Sequence, residues 1–327
     1  MLGIVVLLGI LLGVSLLSIA YGSRPIALTD VLGSFVHYDR ASTDDIVVMT
    51  LRIPRTLAGI LAGVALGLSG AVMQGVTRNP LADPGLLGVN AGAAMFVVLA
   101  ISVFGITSAL GYIWFGFVGA AVISVLVYVI GSVGREGATP IKLALAGAAV
   151  TAGLQSVTTA ILLTDIDTYD QFRFWTVGAL VGIKGSVLLV IAPFVLVGVG
   201  LALSTGRLLN ALSLGDDVAR SLGQRVALAR VLSATAVVFL CGAATAVAGP
   251  IGFVGLTVPH LARLITGPDY RWILPYSMLL APILLLVSDV LGRLVARPGE
   301  LQVGMVMAVV GAPFFIALVR RRKLAEL

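Results

Sequence analysis

The chain has 327 residues, of which 59% are hydrophobic and 11% charged, with a formal net charge of +6 and a mean hydropathy of +1.11. Soluble domains carry about 25% charged residues, so this composition excludes one and predicts an all-α polytopic membrane protein, a single transmembrane domain over residues 1–327. The positive excess fits loop lysines and arginines on the cytoplasmic side and implies no nucleic acid partner; the single cysteine, Cys241, excludes an internal disulfide.

In chain order, Leu2 to Ala20 is long enough to span and has no basic segment before it, which predicts helix one and not a cleaved signal. Tyr21 to Thr50 is too polar for lipid and predicts a loop with a short helix after Thr29. Helix two is expected from about Leu57 to Val76, introduced by Arg52, Pro54 and Arg55 and closed by Arg78, Asn79 and Pro80. Its Gly59, Gly63 and Gly67 recur every four residues, and Gly70 continues the small face, so a neighbouring helix can approach closely along it.

The two prolines and Gly85 of RNPLADPG break the helix. Helix three follows from Leu86 to Phe104, helix four from Ile113 to Val133, a GREGATP turn, and helix five from Ile141 to Leu163. TDIDTYDQFRFW predicts a loop with Phe172, Phe174 and Trp175 at the headgroup level. Helix six covers Ser186 to Leu203. The polar segment at about 204–226 carries apolar residues at helical spacing and predicts short amphipathic helices outside the bilayer. Helix seven runs from Val226 to Val247, IGFVGLTVPHLARLI is a weak eighth span, and helices nine and ten cover Ile273 to Val295 and Leu301 to Val319.

If the eighth element crosses, ten helices put both termini on one side. That side collects Arg78, Arg135, Lys142, Arg207, Arg220, Arg225, Arg230, Arg263, Arg271, Arg320, Arg321, Arg322 and Lys323, thirteen of the 21 basic residues against eight opposite. The positive-inside rule makes it the cytoplasmic face. No Gly-Lys dipeptide exists, so the chain has no phosphate-binding loop for ATP. His37 and His260 stand far apart, which disfavours a metal centre. Asp289 stands four residues before Arg293, the spacing of a helical ion pair.

The motifs LRIPRTLAG, SGAVMQGVTRNPLADPGLLGVNAG, FWTVGAL, LNALSLGDDVARSLG, GPIGFVGLTVPHLARL and ELQVGMVMAVVGAPFF resemble the FecCD-like permeases of ABC importers for iron-siderophores, haem and cobalamin, from helix one to the C-terminus. The resemblance implies ten helices per subunit in the bacterial cytoplasmic membrane. It also implies a second permease subunit, a paralogue or a second copy, two ATPase subunits that use ATP and Mg, and an extracytoplasmic substrate-binding protein. This chain would bind no cofactor or metal itself and would not be an enzyme. The substrate would be a bulky metal chelate, with siderophore members the nearest in motif.

Residue by residue, the resemblance implies that Arg52, Arg55 and Arg293 meet glutamates of the binding protein, a role suited to the planar guanidinium fork; the alternative is membrane-interface anchoring. It implies that Leu209, Leu212, Leu214, Gly215, Asp216, Ala219, Leu222 and Gly223 belong to cytoplasmic coupling helices docking on the ATPase. Gly59, Gly63, Gly67 and Gly70 are expected to pack beside or line the translocation path. Two other classes compete. An ion-coupled secondary carrier is disfavoured by the scarcity of embedded carboxylates. A rhomboid-like serine protease rests only on the short GLSG around Ser69 and on His260.

Overall fold

The computed structural model describes residues 2–106, 108–134 and 139–325. Arg135, counted above, lies outside the described residues, as do the side chains of Phe174 and of residues 320–323. Among the described residues fifteen α-helices follow in order. They are α1 (Leu2–Ala20), α2 (Leu28–Val36), α3 (Thr43–Ile46), α4 (Ile53–Thr77), α5 (Val89–Ser102), α6 (Ala109–Ser132), α7 (Pro140–Thr164) and α8 (Ile166–Thr176). The second half comprises α9 (Gly185–Ser204), α10 (Gly206–Ser213), α11 (Asp216–Ser221), α12 (Val226–Ala248), α13 (Val254–Thr266), α14 (Tyr270–Val295) and α15 (Val303–Ala325). Among the described residues seven helices are long and apolar enough to cross a membrane, and Val89–Ser102 and Val303–Ala317 are shorter apolar ones.

Around α4 the bundle is built. Its glycines remove the side chains that would hold neighbouring backbones apart, so α14 and α13 seat directly on it. A Cβ on Gly59 would strike Leu286, one on Gly63 the backbone of Pro282, and one on Gly67 the Ser277 carbonyl at 2.7 Å. One on Gly70 would strike the backbone of Gly255 in α13. All four glycines are buried, so in this chain their face is filled by protein.

α13 has only 13 residues, about 20 Å of helix against a hydrocarbon core of about 30 Å. The rest of its passage is the irregular stretch from Gly249 to Phe253, with Ile251 buried and Phe253 in the left-handed region at φ 68°. Irregular backbone at that depth survives only where protein satisfies it. The Ala179 amide meets the Ala248 carbonyl at 2.7 Å where the stretch begins, and within α13, where Pro259 offers no amide to the first turn, Gln74 of α4 donates its side-chain amide to the carbonyls of Gly255 at 3.1 Å and Leu256 at 3.3 Å. The segment after α4 behaves alike: Arg78 closes the helix in a left-handed turn (φ 51°). The chain then folds back with Ala82 wholly buried, and a 3-10 turn (Pro84–Leu87) capped by Asp83 precedes α5.

Several elements depart from expectation. Thr43 to Thr50 is helical, continuous with α4 through a π-helical turn, Val47–Arg52. Pro54 lacks the amide that would bond the Thr50 carbonyl and its ring crowds it, so the preceding turn widens. Arg52 and Arg55 therefore lie within a long helix and not at its start. TDIDTYDQFRFW is mostly helix α8, because Asp165 caps it by accepting from the Thr168 amide at 3.0 Å. Phe172 and Trp175 are buried, 5% and 8% exposed, with ring centroids 5.4 Å apart; they anchor α8 to the bundle and do not face headgroups.

Gly63→Leu should lower the stability of the detergent-solubilised protein by roughly 1–3 kcal/mol or block folding through overpacking, whereas Gly13→Leu, with nothing within 4 Å, should melt like the native chain. Equal melting of both variants in a thermal denaturation assay would disprove the seam.

Candidate functional site

Polar side chains gather at the two ends of the bundle. At one end, the C-terminal turn of α1 leaves carbonyls with no helical partner, and arginines from later in the chain take them. Arg52 donates to the carbonyls of Ile19 at 2.8 Å, Ala20 at 2.6 Å and Arg24 at 2.6 Å. Arg293 donates to Ser18 O at 2.9 Å, Tyr21 O at 2.8 Å and the Ser18 hydroxyl at 2.9 Å. Arg297 donates to Gly22 O at 2.7 Å. Cations at a helix C-terminus also suit its dipole.

The centre of this end is Asp289 of α14, fully buried. Arg55 of α4 grips it with Nε at 3.0 Å and a terminal nitrogen at 2.7 Å, and Arg293 closes the other side at 3.0 Å. The expected i, i+4 pair is thus present, with a second arginine that spacing alone does not reveal. Arg55 also reaches Glu300 at 2.6 Å, and Glu300 accepts from the Ser23 hydroxyl at 2.7 Å. Burial pushes the Glu300 carboxyl up, but the hydrogen bonds from Arg55 and Ser23 outweigh it and hold it below the ordinary value. A cavity of about 210 Å³ opens above, lined by Arg24, Arg52, Arg55, Arg293 and Glu300 among others. Arg52, Arg55 and Arg293 are only 5%, 8% and 2% exposed; their guanidiniums are engaged inside the chain, which neither the motif nor the composition signals.

At the opposite end lie α10 and α11. Leu209, Leu212 and Ala219 are buried against the bundle, so they hold the segment on and cannot meet another protein. The residues turned outward are Leu214 at the close of α10 (61% exposed), Val218 on α11 (44%) and Leu222 just after it (60%). Gly215 and Gly223 take positive φ, 105° and 78°, and shape the turns before and after α11. Asp216 pairs with Arg230 of α12 at 2.6 Å and Arg78 at the end of α4 at 3.5 Å. Asn210 of α10 donates to Asp269 at 2.6 Å and accepts from the Tyr270 amide at 2.8 Å, which ties it to α14. Hydrogen bonds from Arg271 and Asn210 hold the Asp269 carboxyl well below the usual range.

Ser69 donates to the Leu66 carbonyl at 3.1 Å, and His260 lies against Phe314, centroids 6.3 Å apart. Among the described residues no group of three or more metal-ligating side chains occurs.

Residues 10–321 match the FecCD transport family. The ferric enterobactin transport system permease protein of Escherichia coli (strain K12) is 47% identical, over 97% of this chain and 94% of its own length. The hemin transport system permease protein of Yersinia pestis is 36% identical over 97% and 96%. Among solved structures, an inward-facing metal-chelate type ABC transporter superposes with a TM-score of 0.85 at 27% identity, covering 97% of this chain and 98% of its own.

Asp289→Ala should cost roughly 3–5 kcal/mol in denaturation, because it strands two buried guanidiniums, whereas Arg297→Ala should cost about 1 kcal/mol for one hydrogen bond. Since the Glu300 pKa is lowered in the fold, its contribution is complete above the unfolded value of about 4.3 and is lost only as pH falls through the lower folded value. Stability at this end should therefore be flat from about pH 6 to 8. An Asp289→Ala protein as stable as the native one would show that the network does not hold this end.

Proposed function

The chain belongs to the FecCD transport family, and from that premise we propose how this importer permease is oriented, coupled and loaded. It is the permease subunit of an ABC importer for siderophores, haem or related metal chelates, a multi-pass membrane protein whose ATP is hydrolysed by a separate ATPase subunit. The ion-coupled carrier and the protease have no support.

The cargo is a ferric siderophore, favoured over haem by the higher identity to the enterobactin permease, 47% against 36%. Ten crossings arise from the seven long helices, the apolar Val89–Ser102 and Val303–Ala317, and the composite passage through Gly249 to Thr266. With thirteen basic residues on the side of α10 and α11, that side and both termini are cytoplasmic. The chain forms one permease domain, holds no cofactor, and leaves ATP and Mg to its partner.

The observation that carries the coupling assignment is the two-faced segment at 206–222. Its outward apolar residues, Leu214, Val218 and Leu222, offer a docking face to the ATPase, while Asp216 fastens the other side to α4 and α12. Displacement of this segment by the ATPase is thereby transmitted to those helices as a rigid-body movement. On the outer side, the basic cavity is the docking place for binding-protein carboxylates. Arg24, 54% exposed and paired with Asp44, makes first contact, and Arg52, Arg55 and Arg293 form the wall behind it.

Assembly with a second permease and two ATPases is favoured by α7. Between the exposed Leu145 and Leu163 at its two ends, its surface carries Ala149, Ala152, Gly153, Gln155, Ser156 and Thr159 beside one long apolar residue, Val157, a mostly small and polar stretch where lipid would select long apolar side chains, as on exposed α1 with Leu2, Val5, Leu12 and Leu16.

In vesicles holding this chain with its partner subunits, ferric siderophore uptake should require ATP and survive a protonophore; uptake abolished by the protonophore with ATP present would overturn the reading. Leu214→Asp combined with Leu222→Asp should remove the ATPase on purification while leaving the permease melting unchanged, because burying an unpaired carboxylate at an apolar interface costs more than the roughly 2–7 kcal/mol of an unpaired neutral polar group. A cysteine replacing Asp217 should be labelled only from the cytoplasm, and one replacing Asp167 only from outside; the reverse would invert the orientation.

A further inference from the structure

We propose that the groove between α6 and α12 and the arginines at its foot form a binding site for one anionic phospholipid, in the leaflet on the side of α10 and α11. Two cavities stand in line along these helices and share Tyr128. The deeper one, about 250 Å³, has walls of apolar side chains including Val125, Val231 and Val238. The other, about 510 Å³, lies where α6 ends and α12 begins, and is lined by Arg220, Arg225 and Arg230 with Gln224 and Ser132. An acyl chain matches the first and a phosphate the second, and basic pockets between helices at that depth are the usual seat of acidic headgroups.

The charges favour an anion. Arg230 pairs with Asp216, as does Arg78, and Arg220 with Asp217, a pair exposed to solvent. Arg225 is exposed and has no ion-pair partner among the described residues. Four guanidiniums thus face two carboxylates, an excess of two positive charges among these residues. Arg220 lies on the face of α11 away from Val218, two residues or about 200° around the helix, so it is turned from the proposed ATPase face toward the groove. Partway down, the Ser124 hydroxyl lines the deeper cavity and is buried without a hydrogen-bond partner, a donor at a depth suited to a lipid ester carbonyl.

A soluble polyanion would leave the apolar cavity unfilled. A second permease copy fits poorly, because the exposed face of α6 presents Val118, Val122, Val129 and Ile130, the long apolar side chains of a lipid-facing helix. Neither alternative uses both cavities together.

The test uses the full chain purified with its partner subunits and placed in phosphatidylcholine nanodiscs containing a minor fraction of phosphatidylglycerol. Native mass spectrometry should find phosphatidylglycerol retained in preference to phosphatidylcholine by about tenfold or more. Arg225→Glu should abolish that preference at the foot, and V125W, which fills the apolar cavity, should abolish it independently, both without a change in melting in pure phosphatidylcholine. Equal retention of the two lipids, a preference that survives both variants, or full competition by millimolar inorganic phosphate would overturn the proposal. So would a disulfide crosslink between two copies through a cysteine replacing Val125.

Discussion

A carboxylate buried in the membrane must be paired or it will not stay charged and buried, and Asp289 meets that condition through Arg55 and Arg293. The requirement reaches well past these three residues. Arg293 also closes the end of α1, and Arg55 also reaches Glu300 between α14 and α15. One carboxylate thereby fixes the relative positions of α1, α4, α14 and the start of α15 at one face of the bilayer. Lipid offers no hydrophobic driving force between helices, so directional contacts of this kind, together with the close backbone approach along the α4 glycines, give the bundle its unique arrangement.

The long spans were legible in sequence because length and apolarity are strong signals. So was the glycine seam on α4, whose spacing announces close approach, although spacing did not say that α14 would take Gly59, Gly63 and Gly67 while α13 took Gly70. Short elements were harder. The acidic DIDTYDQ run reads as a loop by composition, yet Asp165 and Thr168 cap a helix whose Phe172 and Trp175 are buried; that outcome depends on tertiary packing. The start of α4 was placed late because Pro54 and the arginines look like a boundary, when the helix accommodates them by widening one turn.

The site was legible in part. Arg52, Arg55 and Arg293 do converge on one end, and Arg293 does pair with Asp289. Their inward engagement was not legible, since Arg52 and Arg293 are held largely by backbone carbonyls of and just after α1, which carry no sequence identity, and Arg55 by carboxylates more than 200 residues away. In the segment at 206–222, periodicity identified amphipathic helices but not which leucines faced out: Leu209 and Leu212 are buried, Leu214 and Leu222 exposed. The exposed polar face of α7 is visible only once its neighbours are in place.

Helix α4 is held at both extremities, by Asp289 on Arg55 near its start and by Asp216 on Arg78 at its close, and its 25 residues span about 37 Å. With glycine-lined contacts that leave little slack, it is a stiff beam with a charged clamp at each tip. A beam of that length converts a tilt of about 5° into an end displacement of about 3 Å, a distance comparable to the ion pairs that clamp it. Small angular play at one membrane face is thus enough to make or break a salt bridge at the other.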